Sequence, residues 1–247
     1  MRVPEAFFVS RTMQALEALA LRPQSAPQLA ETLQIHPRTA RRMLNRLADE
    51  GYVIRSDDAR RRYSLTMRVV ALAGQVVEGA RLTRLAVPYV HQLHADVGTS
   101  AHLMVPSHRS VLCLVHSAGE SVCAPHPREL VPSHCTATGK ALLSWRERWC
   151  ESVLDGPLER HTDRTMTDPS LLREEIARSR LRGYAVEDEE FELGVRAVAA
   201  PVFGTGGEAV ASLGAGVPPA GEVEVIAASV LSRAEKLSHD LANERDS

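Results

Sequence analysis

Pro37-Arg38-Thr39-Ala40-Arg41-Arg42-Met43-Leu44-Asn45-Arg46-Leu47-Ala48 is the stretch that decides how this chain is read. Ala40, Met43, Leu44, Leu47 and Ala48 recur at i, i+3, i+4, i+7 and i+8, which predicts a helix with one buried face. The other side carries Arg38, Arg42 and Asn45, with Thr39, Arg41 and Arg46 at its flanks. Arginine donates two hydrogen bonds to guanine, asparagine pairs with adenine, and further arginines neutralise phosphates. A short helix of this kind suits the major groove of a duplex.

The residues upstream supply the rest of a helix-turn-helix. Ser25-Ala26-Pro27-Gln28 has the form of a capping box with proline in the first turn. The helix after it buries Leu29, Ala30 and Leu33, and Gln34-Ile35-His36 makes the turn. An earlier helix is expected over Arg11–Ala20, capped by Ser10, with Met13, Leu16, Leu19 and Ala20 inward. Downstream, Gly51 ends the arginine-bearing helix. Tyr52–Arg55 and Arg62–Leu65 then read as two strands around a turn over residues 56–61. Three helices and a hairpin make a winged helix-turn-helix, whose helix after the turn enters the groove. Arg60, Arg61 and Arg62 on the wing are expected against the backbone or minor groove.

Bulk properties agree with a DNA-facing front on a separate body. The chain has 247 residues, long enough for one or two domains. Residues 1–80 hold 12 Arg and 8 acidic residues, a net of +4, whereas residues 81–247 have a net of −6. Basic charge at one end favours approach to a polyanion. Aromatic residues are only 4%, which argues against stacking platforms for single strands or RNA. The N-terminus lacks the apolar run of a signal peptide, and no stretch approaches 18 apolar residues. A cytoplasmic protein without membrane contact is expected. Cys113, Cys123, Cys135 and Cys150 form no CxxC pair and are read as reduced thiols.

Thr66 can cap a connecting helix carrying Val69, Val70, Leu72, Ala73, Val76 and Val77. That much apolar surface predicts burial against another subunit or domain. A helix from Leu82 to Val97 follows, with Leu85, Tyr89, Leu93 and Val97 in register and Pro88 beginning or kinking it. Beyond Gly98 short β runs appear at Ala101–Val105, Val111–Val115, Val195–Phe203 and Glu208–Val217. Helices are expected over Trp145–Leu154, Asp168–Leu181 and Glu222–Ala242. Irregular alternation of strands and helices predicts an α+β domain.

Several segments resemble the IclR family of transcriptional regulators. They are Leu44-Asn45-Arg46-Leu47-Ala48-Asp49-Glu50-Gly51-Tyr52-Val53, Arg62-Tyr63-Ser64-Leu65, His134-Cys135-Thr136-Ala137-Thr138-Gly139-Lys140-Ala141-Leu142-Leu143, and Arg182-Gly183-Tyr184-Ala185-Val186-Glu187-Asp188-Glu189-Glu190 continuing to Val202. Their order and spacing cover essentially the whole chain. The resemblance implies a winged helix-turn-helix domain over residues 1–66, a linker and dimerisation helix over 67–82, and a GAF-like α/β effector domain over 83–247. It implies a homodimer or a dimer of dimers, a small organic effector, and action as repressor or activator. The effector pocket implied is lined by Ala137, Thr138, Glu187, Val195, Ala197, Gly214 and Gly216. The better-known acid-binding pattern has Asp, Cys and two Ser where this chain has Glu187, Ala197, Gly214 and Gly216. A roomier, less polar pocket is therefore expected here, suited to a bulkier or more apolar ligand than a small keto acid.

Other chemistries are weaker. Thr138-Gly139-Lys140 lacks the earlier glycine and the Ser/Thr of a phosphate loop, since those positions are His134 and Ala141. The run Glu187-Asp188-Glu189-Glu190 reads as a solvated loop with Glu187 turned to the pocket. His116, Cys123, His126, His134 and Cys135 lack the short paired spacing of structural zinc, so core packing is expected and no cofactor is assigned. No nucleophile elbow or dinucleotide fingerprint appears, and no enzyme is expected. The function read from the chain is therefore sequence-specific binding to a roughly palindromic duplex, modulated by a small effector. The alternatives are a ligand-sensing or enzymatic protein whose winged helix contacts protein, and a redox or metal sensor.

Overall fold

The computed structural model describes residues 5–56, 61–72, 81–118 and 130–243, with side chains from Ser10 onward. The chain divides into two compact units, residues 1–79 and 80–247.

The first unit orders α1 (Glu5–Leu21), α2 (Ala26–Thr32), α3 (Pro37–Asp49), β1 (Val53–Arg55) and β2 (Tyr63–Leu65). The first helix starts at Glu5, so Ser10 lies inside it and is not its cap. Its buried stripe is Ala15, Ala18 and Leu19, while Met13 is exposed and Ala20 faces out. The two alanines present a stripe with little side-chain bulk, and the heavier residues alone do not reveal it. In α2 the Gln28 side chain accepts from the Ser25 N–H at 2.9 Å, as the capping signal predicts. The α3 helix is capped by the His36 side chain, which accepts from the Arg38 N–H at 3.2 Å. Gly51, at φ +77°, ends it in a left-handed turn. There the Tyr52 N–H donates to the Leu47 carbonyl and the Gly51 N–H to that of Ala48, both at 2.9 Å.

The wing pairs Val53 with Leu65 and Arg55 with Tyr63 in antiparallel register. Gln24 and Tyr63 exchange backbone hydrogen bonds at 3.0 and 2.7 Å, which ties the wing to the loop before α2. Arg60 lies outside the described residues. Residues 67–72 are helical, and the Arg68 N–H donates to Thr66 Oγ1 at 3.3 Å, as a cap at Thr66 predicts. Val70 and Leu72 are exposed on this segment. Ala73, Val76 and Val77 fall outside the described residues.

The second unit is a six-stranded sheet in the order β5-β4-β3-β8-β7-β6, antiparallel throughout. The strands are β3 (Ala101–Ser107), β4 (Ser110–Ser117), β5 (Leu130–Pro132), β6 (Ala185–Asp188), β7 (Arg196–Phe203) and β8 (Ala209–Gly216). One face is covered by α4 (Arg81–Val97) and the last helix, α8 (Val223–Asn243). Ala86, Val90 and Leu93 of α4 and Ile226, Val230, Ala234 and Leu237 of α8 meet Leu103, Val198, Ala200 and Leu213 there. Pro88 sits within α4, which continues past it. The other face carries α5 (Ala137–Leu143), whose Ala137 and Ala141 pack on Ala185, Ala197 and Ala199. Around it lie α6 (Glu147–Leu154) and α7 (Pro169–Arg182). The latter is capped by Asp168, whose side chain accepts from the Ser170 N–H at 2.8 Å, and stopped by Gly183 at φ +83°.

The acidic run is not a solvated loop. Ala185–Asp188 is an edge strand, and alternation turns Glu187 inward beside Ala185. Glu190, in the turn that follows, is also buried. Lys140, with 0% of its side chain exposed, forms an ion pair with Glu190. Together they pin that turn to α5.

The seat of α5 admits no side chain at Gly139. A Cβ there would lie 2.1 Å from the Ser133 carbonyl oxygen and 2.4 Å from its Cα. Backbone, unlike a flexible side-chain tip, cannot yield cheaply. Gly139→Ala is expected to cost about 1–3 kcal/mol of unfolding free energy or more, measured by denaturant titration. An unchanged midpoint and slope would contradict this close packing.

Candidate nucleic-acid face and effector pocket

On α3 the two faces separate cleanly. Ala40 is buried, and Met43, Leu44 and Leu47 are buried against Ala15, Leu19, Leu29 and Tyr63, whereas Arg38, Arg41, Arg42, Asn45 and Arg46 are exposed and Thr39 is half-buried. His36 and Asp49 stand at the two ends of the shallow groove that these polar residues line. The Tyr63 hydroxyl donates to Asn45 Oδ1 at 3.3 Å. One acceptor lone pair of Asn45 is thereby tied to the wing, and its amide N–H groups remain to face outward. Arg61 is exposed at φ +44° beside the wing strand. Arg62 is half-buried against the groove formed by Arg22, Pro23, Ser25 and Gln28. Of the two described wing arginines, Arg61 is therefore the more open to a duplex.

In the second unit the resemblance-derived residues converge on the sheet face beneath α5. Glu187 pairs with Ala197, and Ala197 with Gly216, in one row across β6, β7 and β8. The next row is Ala185, Ala199, Gly214, His102 and His116. Ala137, Thr138, Glu187, Ala197 and Gly214 are buried, and Gly216 is half-buried. Val195 precedes β7, which begins at Arg196, and its carbonyl accepts from the Glu189 N–H at 2.8 Å. It belongs to the acidic turn, one residue short of the strand predicted for it.

The expected extra room is absent at Gly214. A Cβ on Gly214 would lie 2.8 Å from Thr138 Cγ2 and 2.9 Å from His102 Nε2. Those two side chains already fill the space that a serine would take. Above Gly216 the nearest atom is Ser100 Oγ, at 3.2 Å.

The pocket is also more polar than the four substitutions suggested, because neighbouring residues bring their own groups. Glu187 Oε2 accepts from the Ala137 N–H at 3.3 Å. Glu187 Oε1, Glu190 Oε2, His102 Nδ1 and Ser212 Oγ are buried with no hydrogen-bond partner among the described residues. Burial pushes the Glu187 carboxyl up to about 7, against the pull of the Ala137 N–H and of Lys140. Burial likewise raises Glu190, with Lys140 opposing. His102, wholly buried and beside His116, is lowered to about 4 and is therefore neutral at pH 7.

His102, Lys140, Glu190, Ser212 and His161 were not singled out as site residues from sequence. Period-two alternation in Ala185–Asp188 carried a signal for Glu187, and Lys140 carried none, since lysine is ordinarily exposed. Of the residues considered for metal binding, His134 and Cys135 come together with His161. His116 lies in the β3–β4 pairing instead, while Cys123 and His126 fall outside the described residues. No described helix is long and apolar enough to cross a membrane.

Comparison with known proteins bears on both units. The C-terminal domain model of bacterial IclR transcriptional regulators matches residues 74–239. An N-terminal DNA-binding domain model of iron-dependent repressors matches residues 15–59. The HTH-type transcriptional regulator BhcR of Paracoccus denitrificans is 30% identical over 229 residues, covering 89% of this chain and 81% of that protein. A crystal structure of an IclR-type regulator from Silicibacter sp. superposes with a TM-score of 0.83 at 23% identity, covering 97% of this chain and 98% of its own. An IclR homologue of Microbacterium hydrocarbonoxydans in complex with 4-hydroxybenzoate gives 0.78 at 24% identity, covering 96% of this chain and all of its own. With two-thirds of its length matched by the family model and a 30%-identical relative aligned over 89% of it, the chain belongs to the IclR family of bacterial transcriptional regulators.

Proposed function

We propose that this protein is a sequence-specific DNA-binding regulator whose operator affinity is set by a small organic effector held beneath α5. The observation that carries the reading is the division of α3, with four apolar side chains buried and Arg38, Arg41, Arg42, Asn45 and Arg46 exposed. Arg38, Thr39, Arg42 and Asn45 read bases, and Arg41, Arg46, Arg60, Arg61 and Arg62 meet phosphates. The exposed Val70 and Leu72 support a linker helix that pairs with a second copy. Two winged domains related by a twofold axis would engage two half-sites of a roughly palindromic operator. The role is regulatory and not enzymatic, in the cytoplasm where the operator lies.

The effector site is assigned to Ala137, Thr138, Glu187, Val195, Ala197, Gly214 and Gly216. The relative bound to 4-hydroxybenzoate supports a small organic ligand. The unsatisfied Glu187 Oε1 favours one that presents a hydroxyl or amine donor to it. An effector acts here only by binding one arrangement of the paired chains better than another.

Selection of bound duplexes from a random pool by the full chain tests the reading. Enrichment of a palindrome is expected, and no enrichment at low salt would overturn it in favour of a protein-contacting winged helix. On the selected operator, Arg42→Ala should cost about 1–3 kcal/mol and relax the preference at one base pair. Unchanged affinity would remove Arg42 from the base-reading set. Arg61→Ala should instead weaken all sequences alike and lower the salt slope by roughly one unit. A loss confined to one operator variant would contradict that assignment.

Glu187 yields a pH-dependent prediction. Its folded carboxyl titrates at about 7 against an ordinary 4.5, so between these values the folded state binds more protons than the unfolded state. Stability therefore falls as pH rises through this window. Glu187→Gln should stabilise the protein at pH 8, by up to about 3 kcal/mol, and change little at pH 4. Equal effects at the two pH values in urea titrations would contradict the burial argument.

A further inference from the structure

One cluster lies beside the effector pocket and is used by none of the roles above. The metal-ligating atoms of His134, Cys135 and His161 lie within 4.8 Å of one another. His134 and Cys135 are buried, while His161 is exposed on its outer side. We propose that these three side chains form a binding site for a thiophilic divalent cation of the Zn²⁺ class, with the fourth coordination position open to water or to a donor atom of a bound ligand.

The donor set itself selects the metal. One thiolate and two imidazoles suit zinc and its neighbours, and reject magnesium and calcium. In a tetrahedral site with Zn–S of about 2.3 Å and Zn–N of about 2.0 Å, ligand atoms stand roughly 3.4–3.6 Å apart. The widest separation must therefore close by about 1 Å, which a side-chain rotation of the exposed His161 provides.

The surroundings are arranged as a metal site needs. His134 Nε2 is 2.9 Å from the Glu159 carbonyl oxygen, which holds the proton on that nitrogen and leaves Nδ1 with its lone pair. The backbone at His161 is fixed from two sides. Its own N–H donates to Thr165 Oγ1 at 3.0 Å, and that hydroxyl donates to the Glu190 carbonyl at 2.6 Å. Thr162 Oγ1 donates to the Glu189 carbonyl at 2.7 Å. The His161 ring meets Phe191 edge-on at 5.1 Å.

Buried carboxylates lie next to the cluster. Glu190 is linked to His161 through Thr165 Oγ1, and Glu187 and Glu190 each keep a buried oxygen without a hydrogen-bond partner among the described residues. Binding would exchange the dication for the Cys135 thiol proton, which leaves to solvent, without any oxidant or reductant.

Cobalt titration of the full, chelator-stripped protein tests this, independently of DNA binding. One equivalent of Co²⁺ should give a thiolate-to-cobalt charge-transfer band and the visible bands of tetrahedral cobalt, both bleached by Zn²⁺. Cys135→Ser should abolish the charge-transfer band, and Cys150→Ser should keep it. His161→Phe changes an exposed residue, so the chain should still fold and lose more than about a hundredfold in Co²⁺ affinity, beyond what an outer-shell change costs. The proposal is overturned if the wild-type protein gives no thiolate band, if the band survives in Cys135→Ser, or if His161→Phe binds Co²⁺ as tightly as wild type.

Discussion

A lysine ammonium with no exposed surface must have its counter-charge beside it, and in this protein that constraint organises the regulatory unit. Lys140 of α5 finds Glu190 in the turn after β6. Removing either partner alone would strand a buried charge, at a typical cost of about 3–5 kcal/mol. The pair therefore holds the acidic turn down onto α5. With the turn held, Glu187 reaches the Ala137 N–H, and Thr162 and Thr165 bond to the carbonyls of Glu189 and Glu190. One ion pair thus positions the candidate effector pocket and the His134–Cys135–His161 cluster at once.

The DNA-facing unit rests on simpler physics. Its small core is made by α1, α2, α3 and the wing, and α3 gives that core only methionine and leucine. The arginines are left over by the same periodicity that buries the apolar stripe. Capping at His36 and the left-handed Gly51 fix where the helix begins and ends, and hence which arginines stand on its exposed side. The Tyr63–Asn45 hydrogen bond links wing and helix, so the two candidate contact elements keep one register.

What the sequence made legible follows from how local each signal is. The α3 helix, the wing and the long hairpins are written in periodicity and turn residues within a few positions of one another. The first helix begins earlier than its heavier apolar residues suggest, because its buried stripe is mostly alanine and Met13 is exposed. The acidic run reads as a solvated loop because its charge masks the alternation of Ala185–Asp188, and the lysine that makes the burial of Glu190 tolerable stands fifty residues away. Family resemblance brought Glu187, Ala197, Gly214 and Gly216 to one sheet face, but not the shape of the pocket. His102 and Thr138 occupy the room at Gly214, a compensation that only the folded register reveals.

The central claim is that α3 enters the major groove with its arginine side against base edges. Guanine N7 lies in that groove, and arginine binds it there. Methylation interference on the selected operator therefore tests the claim directly. The account predicts that N7 methylation of guanines within both half-sites blocks binding of the full chain. Binding indifferent to N7 methylation throughout the operator would contradict it.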